Sequence, residues 1–425
     1  MGLGHFENIF EGKNIILGIT GSIAAYKSLL LIRELKRRNA NVFPVLTPFA
    51  THFVTKLTVS NLAKNPVAVD MFDPEIQKSG AWHIDLVHRC DLMIIAPATA
   101  STIGKIANGV CDNALVTLAT ALPKNTPLLI APAMDTSMWE HPTTQRNVQI
   151  LREIGGHIIP PSFGELSSGL IGEGRFPEIP VLLDYIETFL YFREIGLERY
   201  NEIRDKIKDK NILVTAGPTH EKIDDIRYIS NYSSGKMGFA IAIQSHILGA
   251  KVKLITGPSK IQMHHPISLE SVTSAKNMFD AVVKDYQTSD ATIMASAVAD
   301  YCPETKFQGK LKKDTSKEIF LRLIRTPDIL SELGKNKKHQ ILVGFALESS
   351  QDGLKNALKK LSQKNCDLIV LNYFDTPNSG FSGDNNTITI LEYLSNEELI
   401  VQNYPSASKN ICSLFILERI SKHLR

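Results

Sequence analysis

One order of elements occurs twice in this chain. Residues 13–47 read KNIILGIT, then a helix-forming stretch ending RELKRRNA, then NVFPVLT. Residues 210–256 read KNILVTAG, then FAIAIQSHILGA, then KVKLIT. Each is a βαβ unit, and its nearly continuous apolar strands need helices on both faces of a parallel sheet. More strands of this kind follow each unit: DLMIIAPAT at 91 and PLLIAPAM at 127, then ATIMASAVAD at 291, ILVGFAL at 341 and DLIVLN at 367. The pattern predicts an α/β protein of two doubly wound, Rossmann-like domains. Between them, residues 192–210 (FREIGLERYNEIRDKIKDK) carry eleven charges and no strand pattern, which reads as a solvated helix or linker. The expected division is 1–192, a charged linker at 193–209, and 210–425.

Composition narrows the function classes. At 425 residues, 43% hydrophobic and 21% charged, the chain can fill two ordinary cores. No apolar run approaches the roughly 18 to 20 residues of a membrane span, and the first residues lack a basic-then-apolar leader pattern, so a cytoplasmic protein without membrane partners is expected. The five cysteines, at 90, 111, 302, 366 and 412, form no CxxC pair, which argues against a disulfide framework or zinc. A net charge of +3 with dispersed basic residues does not suggest nucleic acid.

In doubly wound sheets ligands bind beyond the carboxyl ends of the strands, so the residues after each strand carry the functional expectation. Gly21-Ser22 opens a helix with backbone N–H groups and a hydroxyl, suited to an anion or to plain capping. Thr47-Pro48 has the same two readings. In APATAST (96–102), small residues allow a planar ring to lie against the backbone, or simply make a tight corner. His83 in AWHIDL is either a structural histidine among apolar neighbours or an acid–base group.

Taken together, GITGSIAAYK, HIDL, APATA and PAM resemble the flavin-dependent cysteine decarboxylases, which bind FMN on a flavodoxin-like domain. TAGPTHEKIDDIRYISNYSSGKMGFAIA, AVADY, KLKK, GFALE and GFSGDNN resemble phosphopantothenate–cysteine ligase. The likeness runs from about residue 13 to 390, so the chain is similar to the bifunctional coenzyme A biosynthesis enzymes of bacteria. The resemblance implies that 4′-phosphopantothenate is activated by CTP, with Mg²⁺, as an acyl-cytidylate. L-Cysteine then displaces CMP, and FMN-dependent decarboxylation yields 4′-phosphopantetheine.

Residue roles follow from the same resemblance. In the ligase half, Ser233, Ser234, Gly235, Lys236 and Met237 match the phosphate-facing loop, and Arg227 and Asn231 match the groups that hold the acyl phosphate and its intermediate. Asp300 matches the ligand of the divalent cation, and Lys310 the cation opposite departing pyrophosphate. Phe345 offers an apolar face to the base, and Lys360 and Lys364, four apart, match the nucleotide lysines. Lys312 and Lys313 are read as solvated surface. Asn372 closes DLIVLN, where the family usually continues to an aspartate and this chain has Tyr373. In the flavin half, His83 matches the essential histidine. Ser22, Thr47, Ala98, Thr99 and Met134 match flavin contacts, Asn113 the meeting point of flavin and substrate, and Arg175 part of a Gly-rich substrate clamp.

Two positions depart from the family pattern. The family commonly has PAMN, whose asparagine grips the substrate carboxylate, whereas this chain reads PAMD with Asp135. A carboxylate there repels a carboxylate, so Asp135 is either protonated or faces another group. In GELSSGLIGEGRF, Ser168 replaces the cysteine assigned to protonate the enethiol. A hydroxyl is a much weaker acid than a thiol of pKa about 8.5. The alternative is therefore an active ligase carrying a flavin half that only binds or scaffolds. The resemblance also implies a homo-oligomer, with trimers of flavin domains and dimers of ligase domains.

Overall fold

The computed structural model describes residues 6–73, 76–77, 80–312, 318–375, 383–393 and 398–424. Lys313 and residues 380–382 of GFSGDNN lie outside them. The chain divides into two compact units, residues 8–199 and residues 200–425 together with 1–7.

The first unit is built on β1 (Asn14–Ile19), β2 (Asn41–Leu46), β3 (Leu92–Ala98), β4 (Leu128–Pro132) and β5 (Gly156–Ile158), a parallel sheet in the order β2-β1-β3-β4-β5. Ile15, Ile16, Leu17 and Ile19 of β1 and every residue of β3 are buried, as a strand covered on both faces requires. Each such aliphatic side chain contributes about 1.5–3 kcal/mol on leaving water. The crossover helix Ala25–Arg37 turns Ser28, Leu31, Ile32 and Leu35 inward and ends on Lys36 and Arg37, which complement its carbonyl end. Strand order reverses between β1 and β3, which places the ligand crevice at the ends of those strands. The antiparallel hairpin β6 (Ser162–Glu165) and β7 (Ile171–Arg175) is appended after β5.

In the second unit, β8 (Asn211–Ala216) is followed by the short antiparallel pair β9 (Glu221–Lys222) and β10 (Tyr228–Ile229), then β11 (Lys251–Thr256), β12 (Ser268–Ser271) and β13 (Ala291–Met294). Next come the antiparallel pair β14 (Tyr301–Pro303) and β15 (Leu323–Arg325), then β16 (Ile341–Glu348), β17 (Leu368–Tyr373), β18 (Asn385–Asn386), β19 (Thr389–Tyr393) and β20 (Leu399–Asn403). The main sheet has the order β12-β11-β8-β13-β16-β17-β19-β20. Its pairs are parallel from β12 to β17 and antiparallel from β17 to β20.

Of the two readings of the charged segment, solvated helix or linker, the structure has helix: Ile179–Ile195 runs into it and Leu197–Ile207 fills most of the rest. Tyr200, Ile203 and Ile207, three and four apart, form one buried face beneath the charges. The extreme N-terminus groups with the second unit instead of the first. There Phe6 is 4% exposed, bridges Ala407 in parallel and meets the Phe415 ring edge-on at 6.3 Å.

Candidate active sites

A cavity of about 620 Å³ opens at the carboxyl ends of the first sheet. The turn after β1 contributes Ser22 and Ala24 and the helix it opens Lys27, the turn after β3 gives Thr99 and Ala100, and the turn after β4 gives Ala133, Met134 and Asp135. The hairpin adds Glu165, Ser167, Gly174 and Arg175. Thr99 caps its helix by accepting from Thr102 N–H at 3.4 Å. Its own N–H donates to Thr20 Oγ1 at 3.1 Å, and Thr20 in turn donates to the Pro97 carbonyl at 2.7 Å, tying the turns after β1 and β3 together. Lys27 and Arg175 both reach Glu178 Oε1, at 3.5 and 2.8 Å. Small residues beside hydroxyls, backbone donors and two cations form a donor set that suits a planar ring carrying a phosphate.

Five of the residues expected here, Ser22, Thr99, Met134, Asp135 and Arg175, line the cavity; His83, Thr47, Ala98, Asn113 and Ser168 do not. His83 is half-buried on helix Trp82–His88, its ring 6.0 Å from that of Trp82. Thr47 and Ala98 are buried at the ends of β2 and β3. Asn113 caps helix Ala114–Thr120, its side-chain Oδ1 accepting from Val116 N–H at 3.2 Å while its side-chain Nδ2 donates to Asp112. Ser168 donates its hydroxyl to Asp135 Oδ2 at 2.7 Å. Asp135 thus has a hydroxyl of the protein, that of Ser168, against its carboxyl group.

A second cavity, about 630 Å³, lies beyond the ends of β13 and β16. Asp300, Phe345, Lys360 and Lys364 all line it, together with Arg325, Asp328 and Lys359. Four cationic side chains against two carboxylates leave a positive surplus suited to a polyanion. Lys360 donates to the Phe345 carbonyl at 2.6 Å, and burial pulls its pKa below the ordinary lysine value. Lys364 pairs with Asp328, which also caps the next helix through Ser331 N–H.

Asn231 donates to the Ala297 carbonyl and accepts from Ser233 N–H at 3.0 Å. Ser233 Oγ accepts from Gly235 N–H at 3.3 Å, and Ser259 donates to the Ser234 carbonyl at 3.1 Å. Gly235 caps helix Lys236–Ile247, which also holds Met237, and Lys236 pairs with Asp384 at 2.6 Å. Arg227 binds Asp224 and donates to the Leu311 carbonyl at 2.7 Å. That guanidinium, with backbone donors from Ile226, Arg227 and Leu311, holds the Asp224 carboxyl far below the usual carboxylate range. Lys310 is exposed, with no hydrogen bond or ion pair among the described residues. None of Arg227, Asn231, 233–237 or Lys310 lines the second cavity.

Residues 7–191 match the family described as Flavoprotein, and residues 207–424 match the DNA/pantothenate metabolism flavoprotein C-terminal domain. The chain is 42% identical over 385 residues to the coenzyme A biosynthesis bifunctional protein CoaBC of Bacillus subtilis, a match spanning 90% of this chain and 91% of that protein. This chain belongs to the bifunctional coenzyme A biosynthesis family. Like the family, it is an enzyme with two activities, a carbon–nitrogen ligase and a carboxy-lyase, and its flavoprotein domain carries the decarboxylase. It is also 44% identical over 347 residues to a protein of an unknown prokaryotic organism named cysteine/cysteine sulfinic acid decarboxylase, covering 81% of this chain and 93% of that one. A solved C-terminal domain of a CoaBC protein matches 52% of this chain and 97% of its own, at 37% identity and a TM-score of 0.43. No helix among the described residues is long and apolar enough to cross a membrane.

Family motifs alone did not single out Lys27, Asp328, Arg325 or Lys359 as lining residues. Asp328 had a signal in the sequence: TPD before the apolar pair Ile329-Leu330 is a helix start, and such a start at a strand end is a cavity rim. Lys27 had none, because a lysine within the first turns of a surface helix is ordinary.

Proposed function

We propose that the second unit joins 4′-phosphopantothenate to L-cysteine using CTP, through an acyl-cytidylate, and that the first unit decarboxylates the product to 4′-phosphopantetheine with FMN. The observation that carries the ligase reading is the cation-rich cavity beyond β13 and β16. Its lysines suit a triphosphate, Lys360 and Lys364 neutralising charge beside the apolar face of Phe345. Asp300, an exposed carboxylate on the rim, is the hard oxygen ligand that would hold Mg²⁺ with the phosphates. Arg227, Asn231, the loop Ser233–Ser234–Gly235–Lys236–Met237 and Lys310 are assigned to the acyl phosphate and departing pyrophosphate.

In the first unit, Ser22 and the N–H groups of its turn would hold the FMN phosphate, with Thr99 and Met134 against the ring. Thr47, Ala98 and Asn113 complete the assigned flavin surroundings. Bound FMN supplies the hydride acceptor that makes the substrate thiol oxidisable and its carboxylate a leaving group. His83 is assigned to proton transfer and Arg175 to the substrate. We assign the enzyme to the cytoplasm and to a homo-oligomer built from flavin-domain trimers and ligase-domain dimers.

The test is product mass after incubating the flavin-loaded protein with 4′-phosphopantothenate, cysteine, Mg²⁺ and either CTP or ATP. Formation of 4′-phosphopantetheine with CTP is expected. Accumulation of 4′-phosphopantothenoylcysteine would leave only the ligase, and no consumption of 4′-phosphopantothenate would refute the ligase reading.

A further inference from the structure

The hairpin β6–β7 is fastened to the turn after β4 at two levels. At its base, Met134 N–H donates to the Gly174 carbonyl at 3.0 Å. Gly174 stands at φ +132°, where a Cβ would lie 2.3 Å from the Met134 oxygen, so the backbones meet directly. At its tip the link is Ser168 Oγ donating to Asp135 Oδ2 at 2.7 Å. The other oxygen, Oδ1, accepts from Ser137 N–H at 3.2 Å. Both oxygens are therefore used as acceptors, and a carboxylate keeps further lone pairs for a donor arriving in the cavity that Asp135 lines.

A substrate carboxylate does not fit beside such a group. The same cavity has another place for it: Lys27 and Arg175, which both reach Glu178, are the positive side chains of a lining whose carboxylates are Asp135 and Glu165, so a substrate carboxylate is drawn to that pair of cations. We propose that Asp135 is a specificity residue that accepts the N–H of an N-acylated cysteine, with the substrate carboxylate turned toward Lys27 and Arg175. Ser168 is a positioning residue that fixes the Asp135 rotamer through its hydroxyl. This rests on the decarboxylase reading above and deepens it, because it defines a donor-bearing nitrogen next to the reacting carbon as the feature recognised.

The test uses the full chain loaded with FMN and two unreactive ligands, 4′-phosphopantothenoylalanine and its analogue methylated on the amide nitrogen next to the alanine Cα, titrated by the change in flavin absorbance. Wild type should bind the N–H ligand about tenfold or more tightly than the N-methyl one, the loss expected for one hydrogen bond to a charged group. Asp135→Ala should bind the two alike. Ser168→Ala should narrow the difference, and Ser168→Thr, which keeps the hydroxyl, should restore it. Equal binding by wild type, or discrimination that survives in Asp135→Ala, overturns the proposal. Turnover of 4′-phosphopantothenoylcysteine by the same preparation separates the two readings. Turnover with equal binding sinks only the role of Asp135, whereas a flavin-loaded protein that neither binds the ligands nor turns the substrate over sinks both.

Discussion

Gly238 is the third residue of helix Lys236–Ile247 and lies directly on β8. A Cβ at this position would sit 2.6 Å from both the Ala216 Cβ and the Thr215 carbonyl oxygen, and 2.9 Å from the Ala216 Cα. Carbon contacts are comfortable at about 3.5–4.0 Å, so Gly238→Ala requires the start of the helix to withdraw from the strand by about 1 Å. Two effects oppose each other. Alanine gains roughly 0.8–1.0 kcal/mol of helix propensity over glycine, while overpacking a filled core costs about 1–3 kcal/mol. The obstacle is backbone and a short side chain of the central strand, neither of which can swing away, so the cost should prevail by about 1 kcal/mol. The functional effect should be larger. The helix start carries the loop at 233–237, which is assigned above to the phosphates; if it orients them, a displacement near 1 Å lowers the rate by about 10²-fold. The assay is CTP-dependent ligation, with decarboxylation of preformed 4′-phosphopantothenoylcysteine on the same preparation as the internal control. Ligation should fall by one to two orders of magnitude while decarboxylation holds. A variant that ligates normally and resists denaturant better than wild type would refute the argument, because propensity would then have outweighed the contact and the loop would not serve the ligase.

Other outcomes follow from particular contacts. Lys360→Met removes the buried ammonium that donates to the Phe345 carbonyl, and should raise the KM for CTP at least tenfold without changing flavin absorbance. His246, packed edge-on to His265 at 5.7 Å, is pushed down to about 4 by burial and by that neighbour. Its folded value lies below the ordinary histidine value, so the unfolded state binds the proton first. The stability contribution is therefore complete above about pH 6.5 and is lost as pH falls toward 4, by about 3 kcal/mol at most. Denaturant midpoints of the second unit at pH 7 and pH 5 should diverge in wild type and converge in His246→Leu. Phe6→Ala, which empties a buried aromatic site against Phe415, should cost about 3 kcal/mol. The loss should appear in the ligase transition and not in flavin retention, because Phe6 belongs to the second unit.

How much of this was legible in the sequence depends on the range of the interaction that decides each feature. The paired βαβ units were legible because strand burial and helix crossover repeat with a short period, and the cavities followed because parallel sheets direct ligands to strand ends. At 193–209 the charge count outweighed a weaker apolar period of three residues, Tyr200, Ile203 and Ile207, that in fact faces inward. The attachment of Phe6 beside Ala407 joins residues about four hundred positions apart, and no local pattern encodes that. Asp135 and Ser168 present the same difficulty on a smaller scale. As isolated letters each looks like a defect, one a charge that repels the substrate carboxylate and the other a poor acid. Thirty-three residues separate them in the chain, yet they meet at 2.7 Å because a hairpin returns across the turn after β4. Two substitutions that touch are better treated as one change than as two losses. A hydroxyl donates to a carboxylate far more effectively than a thiol does, so exchanging the loop cysteine for serine suits the aspartate that accompanies it. The chemistry that each residue loses alone is therefore to be sought in the pair, and removing one partner should cost more than removing the other after it.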